Sequence, residues 1–395
     1  AWGRRASSLM ILALMGWYLF LITIHYVNQR PLWNDELCVF ASIKDYSFEQ
    51  LFTIPLSHVQ QFPKVYVFLI QQLSAPFHFS LLSLRFLPFI FMLGAFFVWM
   101  RIAAKELRSV PQRICFVLCF AASIPLIYYA AELKQYSMDV FAGSLFILLC
   151  MNQLALQQSR PGLYKAILVL MPMLGLFSYT AFLFFIFPLY NIIRSREWKN
   201  LNCFLYLMSC VIVLLFVYVY DVRISNGAAL REYWQEYMIS FQSIPDFLRT
   251  FVEGVNNLIS RWFAEMPKWV RMAARFFVAF GLWEMCTGFY AQLKKDNYYF
   301  ISVYSLAFIV FLELVILGSL HLYAFTIPRT SLFFAPVILM LSIKGMERLK
   351  TIHPLLFKVI LGLFMGYLIM VSLGIAREIV LRGDLGAQSR IFNSK

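Results

Sequence analysis

Trp33-Asn34-Asp35-Glu36 places two adjacent carboxylates just past the first long apolar run of the chain. Carboxylates there serve as a general base or as metal ligands, and equally as capping or solvated loop residues. A second polar group, Glu132-Leu133-Lys134-Gln135-Tyr136 with Asp139 beyond it, falls between two later apolar runs. The i, i+4, i+7 spacing would put Glu132, Tyr136 and Asp139 on one helical face. Lys134 is then offered to a phosphate or to a neighbouring carboxylate. Gln60-Gln61-Phe62-Pro63-Lys64-Val65-Tyr66 supplies another cation. Pro63 suits the first turn of a helix, and Lys64 reads as a phosphate ligand or as a snorkelling interface lysine. Arg329 follows His321 and Tyr323 where a late apolar run begins. A guanidinium at a helix mouth suits a phosphate or a carboxylate, or anchors a headgroup. Arg85, Glu284 and Glu313 are isolated charges in apolar surroundings and read as internal pairs, since a lone charge at membrane depth is costly.

Other chemistries lack their residues. The sequence has no Gly-x-x-x-x-Gly-Lys phosphate loop and no Gly-x-Ser-x-Gly elbow. Its five histidines are scattered, so a zinc motif is absent; Asp35, His58 and His321 are the set that would have to meet at a metal. Six of the seven cysteines lie in apolar runs and read as core residues, with Cys38 alone in an outer segment, so no disulfide framework is implied.

The elements that must position these groups are membrane helices. Of 395 residues, 61% are hydrophobic and only 14% charged, with a mean hydropathy of +0.72. A soluble domain is about a quarter charged, so a soluble enzyme and a disordered chain are both excluded. What fits is an all-α polytopic membrane protein. Apolar runs near 8–27, 84–103, 113–130, 136–155, 166–178, 180–193, 201–220, 272–290, 298–318, 330–346 and 357–376 predict about eleven spans, of which the fifth and sixth are short. The first run is long and lacks a small-x-small site, so it reads as a retained helix. The net charge of +14 would suggest nucleic acid in a soluble protein. Here the excess collects in short loops: Arg101 to Arg113, Arg160 with Lys165, Arg194 to Lys199, Lys294 with Lys295, and Lys344 to Lys358. The positive-inside rule sets those loops, and the N-terminus, inside. No nucleic-acid partner is expected. The C-terminus then lies outside, against which the basic tail of Arg377, Arg382, Arg390 and Lys395 counts mildly. Residues 1–395 form one membrane-embedded domain. Its long outer segments are 28–83 and 221–271, and the second carries Tyr233, Trp234, Tyr237 and Phe241, then Phe247, Phe251, Val255, Leu258, Ile259, Trp262 and Phe263 at helical spacing. Both segments read as carrying interface helices.

Taken together these residues resemble the GT-C superfamily of polyprenyl-phosphate-sugar glycosyltransferases, in the bacterial branch related to protein O-mannosyltransferases and the lipid A aminoarabinose transferase. The likeness is carried by Trp33-Asn34-Asp35-Glu36, Pro63-Lys64-Val65-Tyr66, Ser83-Leu84-Arg85-Phe86, Glu132 through Asp139, Arg329 through Pro336, and Lys344-Gly345. The chain departs from the common pattern at Phe62-Pro63-Lys64, where many relatives have two prolines before Leu-Tyr. The resemblance implies a catalytic carboxylate at Asp35 and an undecaprenyl-type phosphate sugar as donor. It also implies transfer with inversion on the outer face of a bacterial inner membrane. The acceptor would be a glycan, a lipid or a protein. Glu36 would hold Asp35, bind the acceptor or bind a cation, and Lys64, Lys134 and Arg329 would meet the anionic leaving group. Gln61, Tyr66, Arg85, Glu132, Tyr136, Asp139, His321 and Tyr323 would line the substrate cavity. No cofactor is required, and a divalent cation stays open. Two other readings compete: a lipid or solute transporter or flippase, whose charges would sit near mid-membrane in two related halves, and an O-antigen polymerase or ligase using a pyrophosphate-linked donor.

Overall fold

A computed structural model describes residues 2–194, 201–225, 227–240, 242–262, 268–294, 302–324, 326–327, 329–383 and 385. Phe241, Phe263, Pro328, Arg196, Lys199, Lys295 and the tail residues Arg390 and Lys395 lie outside that set. The described residues form helices and no strand.

The first apolar run is α1 (Trp2–Val27). The first long polar segment folds into α2 (Asn34–Asp45), α3 (Phe48–Thr53) and α4 (Lys64–Ser74). A capping box opens α3, with the Ser47 Oγ accepting from the Gln50 N–H and Gln50 Oε1 accepting from the Ser47 N–H. Pro63 stands just ahead of α4 rather than inside its first turn. Then follow α5 (Leu81–Glu106), α6 (Val110–Ala121), α7 (Ile124–Tyr128), α8 (Tyr136–Ser159), α9 (Pro161–Leu170), α10 (Ile186–Arg194) and α11 (Leu201–Val217). The second polar segment supplies α12 (Gly227–Trp234) and α13 (Ile244–Trp262), before α14 (Lys268–Lys294), α15 (Val303–Ser319), α16 (Ala335–Ile352) and α17 (Pro354–Arg382).

Among the described residues, four helices are long and apolar enough to cross a membrane: Arg5–Val27, Leu81–Glu106, Leu201–Val222 and Pro354–Arg382. Helix α6 and the stretch Ile124–Ala131 pass only as a pair, bent by 61°. The bend has a covalent cause. Pro125 has no N–H to return to the carbonyl of Ala121, so the α6 ladder stops there. The segments 166–178 and 180–193, expected as two short spans or one bent helix, are each broken. They consist of α9, 3₁₀ turns over Pro172–Leu176 and Tyr179–Phe184, and α10. Pro172 again removes a ladder donor, and the backbone tightens to i→i+3 bonding.

Helices α5 and α8 pack together over most of their length, as do α14 and α16, and α1 lies against α6. One apolar core runs through these helices, and a smaller cluster of Tyr164, Leu168, Ile192, Cys203, Tyr206 and Cys210 joins α9, α10 and α11. Outward, α11 presents Phe204, Leu207, Val211, Ile212 and Leu215, all exposed. An apolar face of that extent is consistent with a membrane-facing surface.

Polar contacts sort the helix ends into two groups. At one end Asn28 Nδ2 donates to the Ile379 carbonyl at 3.0 Å and the Tyr26 hydroxyl to the Leu82 carbonyl at 2.8 Å. At the other end Lys344 pairs with Glu106 at 2.5 Å, Gln112 Nε2 donates to Glu347 Oε2 at 2.9 Å, and Lys105 bonds Asn152.

The α14–α16 contact depends on two glycines. A Cβ on Gly345 would stand 2.5 Å from the Phe280 carbonyl oxygen, and one on Gly281 would stand 2.4 Å from the Ser342 hydroxyl and 3.0 Å from its backbone nitrogen. Gly345→Val must push the helices apart, at about 1–3 kcal/mol of overpacking. A lowered thermal midpoint in detergent is the expected result. Gly366→Val in α17, where no atom lies within 4 Å of the new Cβ, should leave the midpoint in place.

Candidate functional site

Helix α2 opens with Asn34-Asp35-Glu36, acidic residues where the helix dipole favours them. Neighbouring residues on a helix point about 100° apart, and here that angle separates the two carboxylates. Glu36 turns inward and is fully buried. Its Oε2 accepts from Arg30 Nη1 and Arg85 Nη2, both at 2.8 Å, and from the Trp33 N–H at 3.3 Å. Its Oε1 accepts from Arg85 Nε at 3.0 Å and from the Leu133 N–H at 2.7 Å. Arg85 Nη1 donates to the Arg30 carbonyl at 2.6 Å, Arg30 Nη2 to the Ala131 carbonyl at 3.4 Å, and the Arg30 guanidinium lies 4.8 Å from the Tyr128 ring centre. One carboxylate thus binds the α1–α2 connection, α5 and the segment before α8. Glu36 positions its neighbour and presents no free oxygen to a substrate or cation. Arg85 is committed to Glu36 as well.

Asp35 turns outward, with its side chain 28% exposed, and its Oδ2 accepts from Arg329 Nη1 at 2.6 Å. The Arg329 guanidinium stacks over Trp234, 4.9 Å from the ring centre, which brings α12 onto the site. Tyr323, six residues earlier, uses its hydroxyl to close the loop, donating to the Thr330 carbonyl at 2.6 Å. His321 has a left-handed backbone (φ 57°), and the Leu322 N–H returns to the Leu317 carbonyl at 2.8 Å. That is a Schellman-type stop of α15, so the placement of His321 follows from ending a helix.

Lys134 is buried and donates to Gln60 Oε1 at 2.7 Å, with its ammonium 5.7 Å from the Phe62 ring centre. Burial lowers its pKa, and the charges of Asp35 and Glu132 work against that. Glu132 does not share a helical face with Tyr136 and Asp139. Its backbone is extended (φ −119°, ψ 135°) and α8 begins only at Tyr136. Its carboxylate is buried with neither oxygen hydrogen-bonded among the described residues. Burial, and then the like charge of Glu36, push its pKa up to about 8 against the pull of Arg30, Lys134 and Arg329. Tyr136 packs edge-on against Tyr129, with ring centres 4.9 Å apart, and the Tyr66 hydroxyl reaches the Lys134 carbonyl at 3.4 Å. Asp139 is buried as an anchor for the break in the fifth expected span, accepting from Ser178 Oγ at 2.5 Å and Thr180 Oγ1 at 3.3 Å.

Lys64 stands apart. Its ammonium donates to the Ile54 carbonyl at 2.9 Å and its charge partner is Asp221, not Asp35. Gln61 lies beside it. The residues brought together are therefore Asp35, Arg329, Lys134 and Glu132, over a platform made by Glu36, Arg30 and Arg85. Arg30, Tyr179 and Asp221 escaped the sequence reading. Arg30 is an ordinary loop residue by spacing. Asp221 carried a usable signal, an acid at the very end of an apolar run.

Among the described residues, no group of three His, Cys, Asp or Glu side chains is placed to hold a metal ion. Asp35 is committed to Arg329, and His58 is exposed in the turn before α4. No protein-family model matches the chain, nor does any curated protein or solved structure.

Two stability tests follow from these burials. Glu36→Gln leaves two buried guanidiniums short of a counter-charge and should cost about 3–5 kcal/mol, read as a large fall in the thermal midpoint. For Glu132 the folded pKa lies above the unfolded one, so its contribution is complete below about pH 4.5 and is lost as pH rises towards 8. The midpoint should drop between about pH 4.5 and pH 8, and Glu132→Gln should flatten that drop. An unchanged slope in the variant would show that other groups set it.

Proposed function

We propose that the chain is a glycosyltransferase that moves a sugar from a polyprenyl-phosphate donor to an acceptor hydroxyl, with inversion, at the outer face of a bacterial inner membrane. In this reading it crosses the membrane about eleven times, with the N-terminus inside and both long polar segments outside. The alternation of helix ends supports that path. Asn28, Arg30, Arg85, Ala131, Asp139, Ser178, Asp221, Arg329 and Ile379 are linked at one end, while Glu106, Lys105, Asn152, Gln112, Lys344 and Glu347 pair at the other.

The observation that carries the reading is Asp35. It is a half-exposed carboxylate fixed by a rigid buried neighbour and facing a guanidinium and an ammonium at one end of a membrane helix bundle. A polyprenyl donor is held by the bilayer, and its phosphate leaves as an anion that needs cations in a partly dry site. Arg329 and Lys134 supply them. Asp35 takes the proton of the acceptor hydroxyl as its oxygen bonds to the anomeric carbon, while the anomeric carbon–oxygen bond to phosphate breaks and both electrons leave with the phosphate. The Asp35–Arg329 ion pair adds a condition: a phosphate arriving at Arg329 competes with Asp35 for the guanidinium and so frees the base when donor is present. Glu36 and Arg85 are positioning residues in this scheme. Lys64 takes no part in phosphate binding.

Membranes containing the chain should release undecaprenyl phosphate from radiolabelled undecaprenyl-phosphate hexoses or pentoses. Asp35→Asn should lower that release by about 10²–10⁴-fold while the purified variant retains binding of undecaprenyl phosphate. Arg329→Met should weaken that binding. Wild-type turnover by Asp35→Asn would remove it as the base. Movement of labelled donor across proteoliposomes without release of undecaprenyl phosphate would make the chain a flippase instead.

A further inference from the structure

Glu132 belongs to the Asp35 centre, yet the transfer scheme leaves it unused. It is fully buried, and neither carboxyl oxygen has a hydrogen-bond partner among the described residues. The charged groups facing it are Glu36 in α2, Arg30 in the α1–α2 connection, Lys134 in its own segment and Arg329 ahead of α16. The Tyr129 and Tyr136 hydroxyls face it as well. Arg329 gives its Nη1 to Asp35 and Lys134 gives its ammonium to Gln60, so neither cation donates to Glu132. An ionised carboxylate closed to water and without a donor is costly, and such a group takes a proton instead. Burial, with the like charge of Glu36 behind it, pushes the pKa up to about 8, so the neutral acid predominates at pH 7.

Charge balance gives the neutral acid a role. Four cations, Arg30, Arg85, Arg329 and Lys134, stand against two acids that are already paired, Glu36 and Asp35. A neutral Glu132 leaves two positive charges uncompensated, and an ionised Glu132 leaves one. The leaving phosphate of the proposed transfer is a monoester, which carries about 1.5 to 2 negative charges at pH 7. The neutral form of Glu132 matches that anion, and the ionised form competes with it for Arg329 and Lys134. We propose that the Arg329–Lys134 centre is a proton-coupled phosphate site, in which Glu132 is protonated whenever the anion is bound. Where Glu132 is ionised beforehand, solvent supplies one proton to a carboxyl oxygen as the anion arrives, and that proton returns to solvent when the anion leaves. Glu132 acts through the two cations, as a positioning residue. This coupling rests on the reading above that Arg329 and Lys134 bind the leaving phosphate.

Isothermal titration calorimetry of the purified full chain tests the coupling. Sulfate serves as a probe whose charge is constant across the range, with inorganic phosphate and undecaprenyl phosphate beside it. Sulfate affinity should hold up to about pH 7.5 and fall about tenfold by about pH 9.5, a slope set by at most one linked proton. On the alkaline side the binding heat should vary with the ionisation enthalpy of the buffer, which reports proton uptake. Arg329→Met should weaken binding at every pH, which places the anion at this centre. Lys134→Arg, whose guanidinium stays charged throughout, should keep both the alkaline fall and the proton uptake. Adding Glu132→Gln to that variant should remove both. If the double variant fails to fold, Lys134→Arg beside the wild type still decides whether Lys134 carries the effect. Tighter binding of undecaprenyl phosphate than of inorganic phosphate assigns the anion to a lipid headgroup, and equal binding assigns it to a free anion; both support the coupling. Sulfate binding that is flat with pH, a fall that vanishes in Lys134→Arg or survives the added Glu132→Gln, or undiminished binding in Arg329→Met overturns the proposal. So does absence of saturable binding by all three anions, which also removes the phosphate ligands from the transferase reading. Proton-coupled binding without release of undecaprenyl phosphate from the labelled sugar donors strikes the transferase reading alone.

Discussion

The Glu36 carboxylate, buried between two arginines, is the constraint on which one end of the helix bundle depends. Three chain segments far apart in sequence meet there: the α1–α2 connection through Arg30 and Trp33, α5 through Arg85, and the segment leading into α8 through the Leu133 N–H. A buried ion pair adds little net stability over an apolar core, because desolvation offsets the attraction. What it does add is geometry. Each Glu36 oxygen is held by more than one donor, so the first turn of α2 has one orientation, and Asp35 is aimed at Arg329 as a consequence.

The charges around that centre divide by solvent access rather than by sign. Glu36, Arg30 and Arg85 compensate one another fully and are closed to water. Asp35 and Arg329 are paired but keep contact with the outside, which is where exchange with an arriving anion is feasible. Glu132 is the unbalanced member, a buried carboxylate without a hydrogen bond beside an acid that is already fully engaged. Trp234 in α12 covers Arg329, so access to the ion pair depends on a part of the chain nearly a hundred residues away in sequence.

Much of this was legible in advance for plain physical reasons. Apolar runs forecast helices because an unpaired backbone has no place in hydrocarbon, and α1, α5, α8, α11 and α14 to α17 begin and end close to the forecast limits. The paired breaks around Pro125 and Pro172 were not forecast, since hydropathy averages over a window and ignores a single missing donor. Asp35, Lys134 and Arg329, which the structure brings together, were singled out from type and position alone. Lys64 was placed in the wrong group, because sequence shows a cation near an interface and not the carboxylate it will face. Glu132 was given a helical face it does not have, because the i, i+4 rule holds only inside a helix and α8 starts four residues later.

The sequence by itself determined that the chain is helical and strongly apolar, with several of its acids and cations beyond the ends of apolar runs. Hydrophobicity and charge are local properties, readable residue by residue. Only the tertiary structure decided which of two adjacent acids is buried and which faces out. The helical turn between Asp35 and Glu36 is fixed by geometry, but the face that meets the core depends on where Arg30 and Arg85 arrive from other segments. The same holds for Asp221, which meets the Tyr179 hydroxyl and Lys64 only because separate parts of the chain converge there.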